Sequence, residues 1–179
     1  MCGIAGWIGH INNHSPIISK ISNDMIHRGP DNQSHKVFKQ CVLIHNRLSI
    51  IDTSNSGNQP IADNSEKIWV IFNGEIYNHK ELKRELNLDG INFKGKSDSE
   101  VIPYLYKKFD VGFLKKLKGM FSIAIYDTRK RRLVLARDRF GIKPLFFSFK
   151  KNHLFFSSEL NSFKHFPIID LEPTEQSIF

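Results

Sequence analysis

The sequence contains little cysteine and no long apolar segment. Its 179 residues include only Cys2 and Cys41, which are too few for a disulfide-stabilised secreted scaffold and lack the spacing of a zinc site. The longest apolar runs, such as residues 68–72, fall far short of the ~20 residues that a membrane-spanning helix needs. Residues 1–10 have no basic segment before an apolar run, as a secretory signal would. We therefore expect a cytoplasmic protein that has no membrane partner.

The sequence also lacks a block of like charge long enough to form a nucleic-acid-binding tail. The formal net charge is +8, and residues 80–179 carry all of the excess, with 20 basic and 12 acidic side chains. The short basic run Arg129–Arg132 lies between two apolar segments, where a charged hairpin turn is the simpler interpretation. No Arg/Gly-rich or aromatic-interleaved RNA-binding pattern is present. We therefore predict that nucleic acid is not a partner.

Apolar spacing predicts strands in the first part of the chain, interrupted by one helix. A strand is expected at Ile4–Ile8, followed by a helix on which Ile17, Ile21 and Met25 recur every four residues. Further strand-like runs are Val37-Phe38, Cys41–His45, Arg47–Ile51 and Ile68–Phe72. The last run is expected to stop at Asn73-Gly74, because Asn-Gly is a common turn pair.

Two further helices are predicted in the middle of the chain. The first begins near Asn78, a potential N-cap, and extends to about Leu86. The second is indicated by Ser97 and Glu100, which have the spacing of a capping box. Because Pro103 falls inside this second helix, we expect a kink or a later start there.

From residue 120 onward the pattern changes to four short strands. They are separated by the turns TRKRR, RFGIKP and KKN, which are short enough to predict that neighbouring strands pair antiparallel. Several runs are apolar on both faces, as is typical of sheets that are covered on both sides. We predict an α+β fold over residues 1–179 as a single domain: a four-layer α/β/β/α sandwich of two mostly antiparallel sheets with helices outside.

Cys2 is the residue with the most informative position. Removal of the initiator methionine would leave a cysteine whose own α-amine lies beside its thiol. A free α-amine has a pKa near ~8, so part of it is neutral at physiological pH and can accept the thiol proton. Such a residue is nucleophile and base in one, although a cysteine at position 2 is more often incidental when it is considered alone.

Eight short segments occur together and in order. They are MCGIAG (1–6), HRGPD (27–31), NRLSIID (46–52), NQPI (58–61), NGEIYN (73–78), SDSE (97–100), GMFSIAIYD (119–127) and ARDRFGIKPLFF (136–147). Together they closely resemble the glutaminase domain of class II glutamine amidotransferases, which are N-terminal-nucleophile hydrolases. Within that class the chain looks most similar to the amino-terminal half of glutamine-hydrolysing asparagine synthetases. Each segment alone is commonplace, whereas eight in one order are specific.

The resemblance implies which residues would hold glutamine, a zwitterion. Arg47, in NRLSIID, matches the family's arginine for the α-carboxylate, a group that a planar guanidinium can bind through two charge-assisted hydrogen bonds. Asp98, in SDSE, matches the acid that binds the α-ammonium. In isolation the two would be read as a surface arginine and a helix-terminal acid. The family's pocket is also lined by the residues that match Leu48, Ser49, Ile50, Ile51 and Glu75.

The resemblance also implies the chemistry. Asn73 and Gly74 match an oxyanion hole, in which each donor is worth roughly 3–4 kcal/mol when it is preorganised in a dry site. The implied cycle is attack by the Cys2 thiolate, loss of ammonia, and hydrolysis of a γ-glutamyl thioester to glutamate. No metal is needed, and the eight histidines show no paired-ligand spacing. We therefore expect no cofactor in this chain.

The resemblance also implies a missing partner. Asparagine synthetases continue into an ATP-dependent synthetase domain with an SGGxDS phosphate loop, a motif that residues 1–179 lack. ATP and magnesium are expected only in that domain or subunit, so the chain would be a truncated form, a gene fragment or a separate glutaminase subunit. A bare contact surface for this partner could let the isolated chain form homo-oligomers.

Two alternatives stay open. The first is the glutaminase half of an asparagine-synthetase-like amidotransferase of cell-surface sugar or antibiotic biosynthesis. The second is a catalytically silent glutamine-binding module. The intact set of Cys2, Arg47, Asn73, Gly74 and Asp98 argues against the second, because a pure binder has no need of a terminal thiol.

Overall fold

The computed structural model describes residues 1–50, 52–93 and 95–169. The strands in these ranges are β1 Gly3–Ile8, β2 Asn32–Val37, β3 Cys41–Arg47, β4 Ile61–Ala62, β5 Ile68–Ile76, β6 Gly119–Asp127, β7 Arg132–Arg137, β8 Phe146–Lys150 and β9 His153–Ser157. The α-helices are α1 His14–Asp24, α2 His79–Leu88 and α3 Val101–Phe109, and short 3₁₀ helices occur at Asn55–Gly57, Asp110–Lys116 and Leu160–His165. No helix in the described ranges is long and apolar enough to cross a membrane.

The strands form two antiparallel sheets whose pairing places the first residues of the chain in the interior. The first sheet has the order β2-β3-β1-β9-β8, and the second has the order β4-β5-β6-β7. The central strand β1 pairs with β3 so that Gly3 lies opposite Asn46. Cys2 is therefore held beside the end of β3.

Three apolar layers hold these elements together. The layer between the sheets contains Ile4, Leu43, Ile71, Ala124 and Phe156. The outer face of the first sheet packs against α1 and the 3₁₀ helix Leu160–His165 through residues that include Trp7, Ile21 and Phe163. The outer face of the second sheet packs against α2 and α3 through residues that include Phe72, Leu82 and Leu105. The predicted α/β/β/α sandwich with helices outside is confirmed, and the runs that are apolar on both faces are strands covered on both sides.

The prediction that Ile68–Phe72 ends at an Asn-Gly turn is wrong. Strand β5 continues through Asn73 and Gly74 to Ile76 and pairs with β6 along its whole length. Gly74 lies opposite Phe121, and a Cβ atom there would lie 2.2 Å from the Met120 carbonyl oxygen. Glycine is needed at this position because the backbone of β6 comes too close for a side chain. The strand continues through Asn73-Gly74 because pairing along nine residues outweighs the local turn propensity.

The predicted start signals of α2 and α3 are only partly right. Ser97 and Glu100 do not form a capping box: Ser97 Oγ accepts a hydrogen bond from the Ser99 N–H at 3.3 Å, and Glu100 pairs with Lys83 at 2.9 Å. The later start was correct, since α3 begins at Val101. Pro103 then falls in the first turn, where its missing N–H leaves no helical bond unmade.

Asn78 immediately precedes α2, yet its side chain caps nothing. The Asn78 amide instead donates to the Lys116 carbonyl at 2.9 Å and accepts from the Lys118 N–H at 3.0 Å. It thereby fastens the start of α2 to the segment that enters β6. The Asn78 side chain therefore bonds to a distant segment and not to the first turn of its own helix.

Two predictions about strands and turns are also wrong. The strand-like run Arg47–Ile51 is not a strand, because β3 ends at Arg47 and residues 48–50 form a loop; Ile51 lies outside the described residues. The segment RFGIKP does not join paired neighbours, because β7 belongs to the second sheet and β8 to the first. One end of the sandwich brings together the start of β1, the end of β3 and the second half of β5.

Candidate active site

A cleft lies at the end of the sandwich that carries Cys2. It encloses about 650 Å³ including its open mouth. Its lining comes from segments that are far apart in sequence: Met1, Cys2, Arg47, Leu48, Ile50, Asp52, Gly57, Gln59, Phe72, Asn73, Gly74, Glu75, Ser97, Asp98, Met120 and Lys143. The cleft therefore brings together most of the residues that the sequence motifs single out.

The Cys2 thiol rests on the backbone of Leu48. The Leu48 N–H donates to Sγ at 3.4 Å, and Sγ lies 3.7 Å from the Leu48 carbonyl oxygen. Burial raises the pKa of the thiol, while the Leu48 N–H, the positive chain terminus and the Arg47 guanidinium act in the opposite direction. The other cysteine, Cys41, is buried between the sheets, and burial alone raises its pKa far above the ordinary value. Cys2 is the cysteine with groups placed to favour its thiolate.

Arg47, the last residue of β3, is held by the loop that follows it. One guanidinium nitrogen donates to the Ser54 carbonyl at 2.8 Å and to Asn58 Oδ1 at 2.6 Å, and the other donates to the Asp52 carbonyl. All three acceptors are uncharged oxygens, so they orient the group without neutralising it. The positive charge of Arg47 remains available to an anion in the cleft.

Asp98 brings a negative charge to the same cleft. Its side chain is buried, and Oδ2 accepts a hydrogen bond from the Ile76 N–H at 2.8 Å. Burial raises the pKa of Asp98, and the Ile76 N–H and nearby His79 partly oppose that shift. A cationic partner would stabilise the ionised form of this carboxylate, which burial disfavours.

Asn73 supplies an unused donor. Its side chain is 1% exposed, and its amide nitrogen has no hydrogen-bond partner in the part of the chain that the structure describes. Buried amide groups are almost always paired. Because Asn73 lines the same cleft as Cys2, this donor is placed to meet an acceptor that enters from outside.

Gly74 supplies a second donor, which follows from the alternation along β5. The N–H groups of Phe72 and Ile76 point away from β6, to Gln59 Oε1 at 2.6 Å and to Asp98 Oδ2 at 2.8 Å. Successive N–H groups of a strand alternate between its two edges. The Gly74 N–H therefore points to the same edge, between Gln59 and Asp98, both of which line the cleft.

The remaining predicted pocket residues are placed unequally. Leu48, Ile50 and Glu75 line the cleft. Ser49 is not among the lining residues, and its N–H donates instead to Asp31 Oδ2 at 2.7 Å. Ile51 lies outside the described residues. The roles given to all of these residues stay predictions.

Sequence reasoning missed several cleft residues, and two of them, Gln59 and Lys143, are buried with polar side chains. Gln59, within NQPI, is buried and fixes the β5 edge through the Phe72 N–H. Lys143, within RFGIKP, is 5% exposed, and its Nζ lies 3.0 Å from Met1 Sδ. Both lie in two of the eight motifs, but the motifs themselves assign them no role. Each contacts a residue far away in sequence, at separations of 13 and 142 residues. Among the described residues, no group of three or more His, Cys, Asp or Glu side chains is arranged to hold a metal ion.

The chain is similar in sequence to known proteins. A family model described as a glutamine amidotransferase domain matches residues 1–178. The chain is 43% identical to a Bacillus subtilis asparagine synthetase [glutamine-hydrolyzing] over 92% of its length, and 39% identical to one from Arabidopsis thaliana over 90%. It is also 38% identical to the amidase chry2 of Gibberella zeae over 97%. The chain spans only 22%, 28% and 27% of these relatives, respectively.

The fold is also found in a solved structure. The glutamine phosphoribosylpyrophosphate amidotransferase of B. subtilis superposes with a TM-score of 0.71 at 22% identity, covering 91% of this chain and 43% of that one. At this identity the likeness concerns the fold alone. The family match extends over nearly the whole chain, and the relatives match it at well over 30% identity. The chain belongs to the glutamine amidotransferase domain family, whose members are enzymes.

Proposed function

We propose that this chain hydrolyses the side-chain amide of L-glutamine to glutamate and ammonia through a thioester on Cys2. One observation carries the proposal: a single cleft holds the thiol of residue 2, an unpartnered buried amide donor and two opposite charges, Arg47 and Asp98. This set matches the chemistry of a zwitterionic amide substrate.

Arg47 and Asp98 would hold the α-amino-acid end of glutamine. The guanidinium binds the α-carboxylate, and the Asp98 carboxylate binds the α-ammonium. Both groups are buried, so each would be costly to desolvate without a partner and would gain a charge-assisted hydrogen bond from the substrate. The amide end of glutamine would then extend toward Cys2.

The reaction would begin once Met1 is removed. The neutral fraction of the Cys2 α-amine takes the thiol proton, and the thiolate attacks the amide carbon of glutamine. The Asn73 side-chain amide and the Gly74 N–H donate to the resulting oxyanion. When the tetrahedral intermediate collapses, the Cys2 α-ammonium returns its proton to the amide nitrogen, the C–N bond breaks and the nitrogen leaves as ammonia. A water molecule, deprotonated by the α-amine, then hydrolyses the γ-glutamyl thioester to glutamate and frees the thiol.

The ammonia would be passed to an ATP-dependent synthetase that converts aspartate to asparagine. The support is the set of asparagine synthetase relatives, of which this chain spans about a quarter. ATP and magnesium would be bound by the synthetase domain or subunit and not by this chain, and the reaction would take place in the cytoplasm. The alternative is that the ammonia goes to a different acceptor, and its support is that two fungal relatives, at 38% and 35% identity, are named amidases and not asparagine synthetases.

The test is a glutamine hydrolysis assay on chains that differ only at the N-terminus. The chain with Cys2 exposed should release glutamate and ammonia in equal amounts. A chain with an uncleaved N-terminal extension, or with Cys2→Ala, should release neither, because the first lacks the free α-amine and the second lacks the thiol. Cys41→Ala is the matched control and should retain activity. Activity in the extended chain or in Cys2→Ala would contradict the proposal.

A further inference from the structure

Asp52 joins the two loops that carry the opposite charges of the cleft. On its own loop, Oδ1 accepts hydrogen bonds from the Ser54 N–H at 2.9 Å and the Ser54 hydroxyl at 2.6 Å. On the other side, Oδ2 accepts from the Ser56 hydroxyl and from the Lys96 N–H, each at 3.0 Å. Lys96 is 44 residues away in sequence and only two residues before Asp98.

The loop shaped by Asp52 is the loop that orients Arg47. The Arg47 guanidinium donates to the carbonyls of Asp52 and Ser54. The same carboxylate therefore fixes the residues that supply these acceptors. If the loop changed its conformation, the guanidinium would lose two of the three oxygens that aim it.

The partner loop is held just as tightly. A Cβ atom on Gly95 would lie 2.6 Å from the Ser56 hydroxyl and 2.9 Å from Asp52 Oδ2, so a larger residue here would require these two side chains to shift. Lys83 also donates to the Gly95 carbonyl at 2.9 Å. The segment leading to Asp98 is thus fixed between Asp52 and a side chain of α2.

We propose that Asp52 is a positioning residue for substrate binding, whose carboxylate sets the separation between Arg47 and Asp98 to suit the α-carboxylate and α-ammonium of one amino acid. This inference rests on the proposed glutaminase function. It extends that function by assigning selectivity for a free α-amino acid to a residue that does not itself need to contact the substrate.

The position requires a carboxylate. Four donors converge on the two oxygens of Asp52, and the Ser54 hydroxyl and the Lys96 N–H are the main groups that hold its pKa below the ordinary value. An asparagine of the same size would keep one oxygen acceptor and put an NH₂ group in place of the other. If that NH₂ replaced Oδ2, two donors would face each other at Lys96 and the contact between the loops would break.

The experiment compares Asp52→Asn with Asp89→Asn in the chain with Cys2 exposed. Asp89 is a matched control, because it carries the same charge, accepts one hydrogen bond from Lys108 at 2.6 Å and does not line the cleft. Asp52→Asn should raise KM for glutamine by roughly tenfold, as expected when one charge-assisted hydrogen bond is lost, and leave kcat largely unchanged. Asp89→Asn should change neither.

A second readout separates positioning from general damage. Cys2 is labelled either with a glutamine analogue that carries an electrophile at the amide position or with iodoacetamide, which has no α-amino-acid end. Asp52→Asn should slow the first reaction by about the same factor as the rise in KM and leave the second unchanged.

The outcomes distinguish the two proposals. Wild-type chain that neither hydrolyses glutamine nor reacts with the analogue would overturn the glutaminase function and, with it, the role of Asp52. Active wild-type chain with an unchanged KM in Asp52→Asn would overturn the role of Asp52 alone. An equal loss of analogue and iodoacetamide labelling would also overturn it, because the carboxylate would then act on the fold as a whole.

Discussion

Replacing Asn73 by alanine should separate the chemistry of the cleft from the stability of the fold. The amide nitrogen of Asn73 is buried and has no partner among the described residues. A buried donor without a partner costs a folded protein about 1–3 kcal/mol, and removing it relieves that cost. The small cavity left by the side chain costs a similar amount. The two effects oppose each other, so the free energy of unfolding should change by less than about 1.5 kcal/mol.

The effect on turnover should be much larger. In the transition state the same nitrogen would face a developing oxyanion, and loss of one such donor lowers kcat by ~10²–10³, equivalent to roughly 3–4 kcal/mol. KM should change little, because the contact strengthens only as the charge forms. Initial rates of glutamine hydrolysis give kcat and KM, and urea unfolding gives the stability.

Ser122 provides the control for this prediction. It lies opposite Asn73 in the pairing of β5 with β6, is fully buried, and its hydroxyl likewise has no partner in the described ranges. It does not line the cleft, so Ser122→Ala should leave kcat largely unchanged. A raised KM with normal kcat in Asn73→Ala, or an equal loss of kcat in Ser122→Ala, would refute the reasoning.

Two further predictions concern Asp98 and the missing synthetase. Burial raises the pKa of Asp98, and only the ionised carboxylate binds an ammonium group. The KM for glutamine should therefore rise as the pH falls through that raised pKa. In Asp98→Asn the KM should be high and should not vary with pH over the same range. Because the folded-state pKa lies above the unfolded value, Asp98 contributes stability that is fully present below the unfolded pKa and is lost as the pH rises through the folded one. Asp98→Asn should therefore resist urea better than the empty wild-type chain at neutral pH. A stability difference between the two chains that does not change with pH would contradict this. Given aspartate, ATP and magnesium, the chain should release ammonia from glutamine and form no asparagine, as amino-acid analysis would show; asparagine formation would defeat the assignment of that step to a partner.

The layered fold was predictable because its signals are local. Helical spacing in Ile17 and Ile21 and the short strands after residue 120 reflect which faces are buried, and burial dominates the choice of secondary structure. Cys2, Arg47, Asn73 and Asp98 were predicted as site residues through the family resemblance that eight ordered motifs carry. No single pattern among these would have placed the four residues in one cleft.

The parts that were not predictable depend on distant partners. Asn73-Gly74 has the composition of a turn, yet pairing with β6 carries β5 through it. Gln59 and Asp52 act through backbone groups at Phe72 and Lys96, 13 and 44 residues away. Such contacts form only when the whole chain has folded, so local propensity contains no signal for them.

The central claim is the covalent intermediate on Cys2, and it can be measured directly. Chain with Cys2 exposed is mixed with glutamine, quenched in acid within the first turnovers, digested and analysed by mass spectrometry. The account predicts a γ-glutamyl thioester on the N-terminal peptide that begins with Cys2, and this thioester should form more slowly in Asn73→Ala. Glutamate release without any adduct on that peptide, or an adduct on Cys41, would contradict the account.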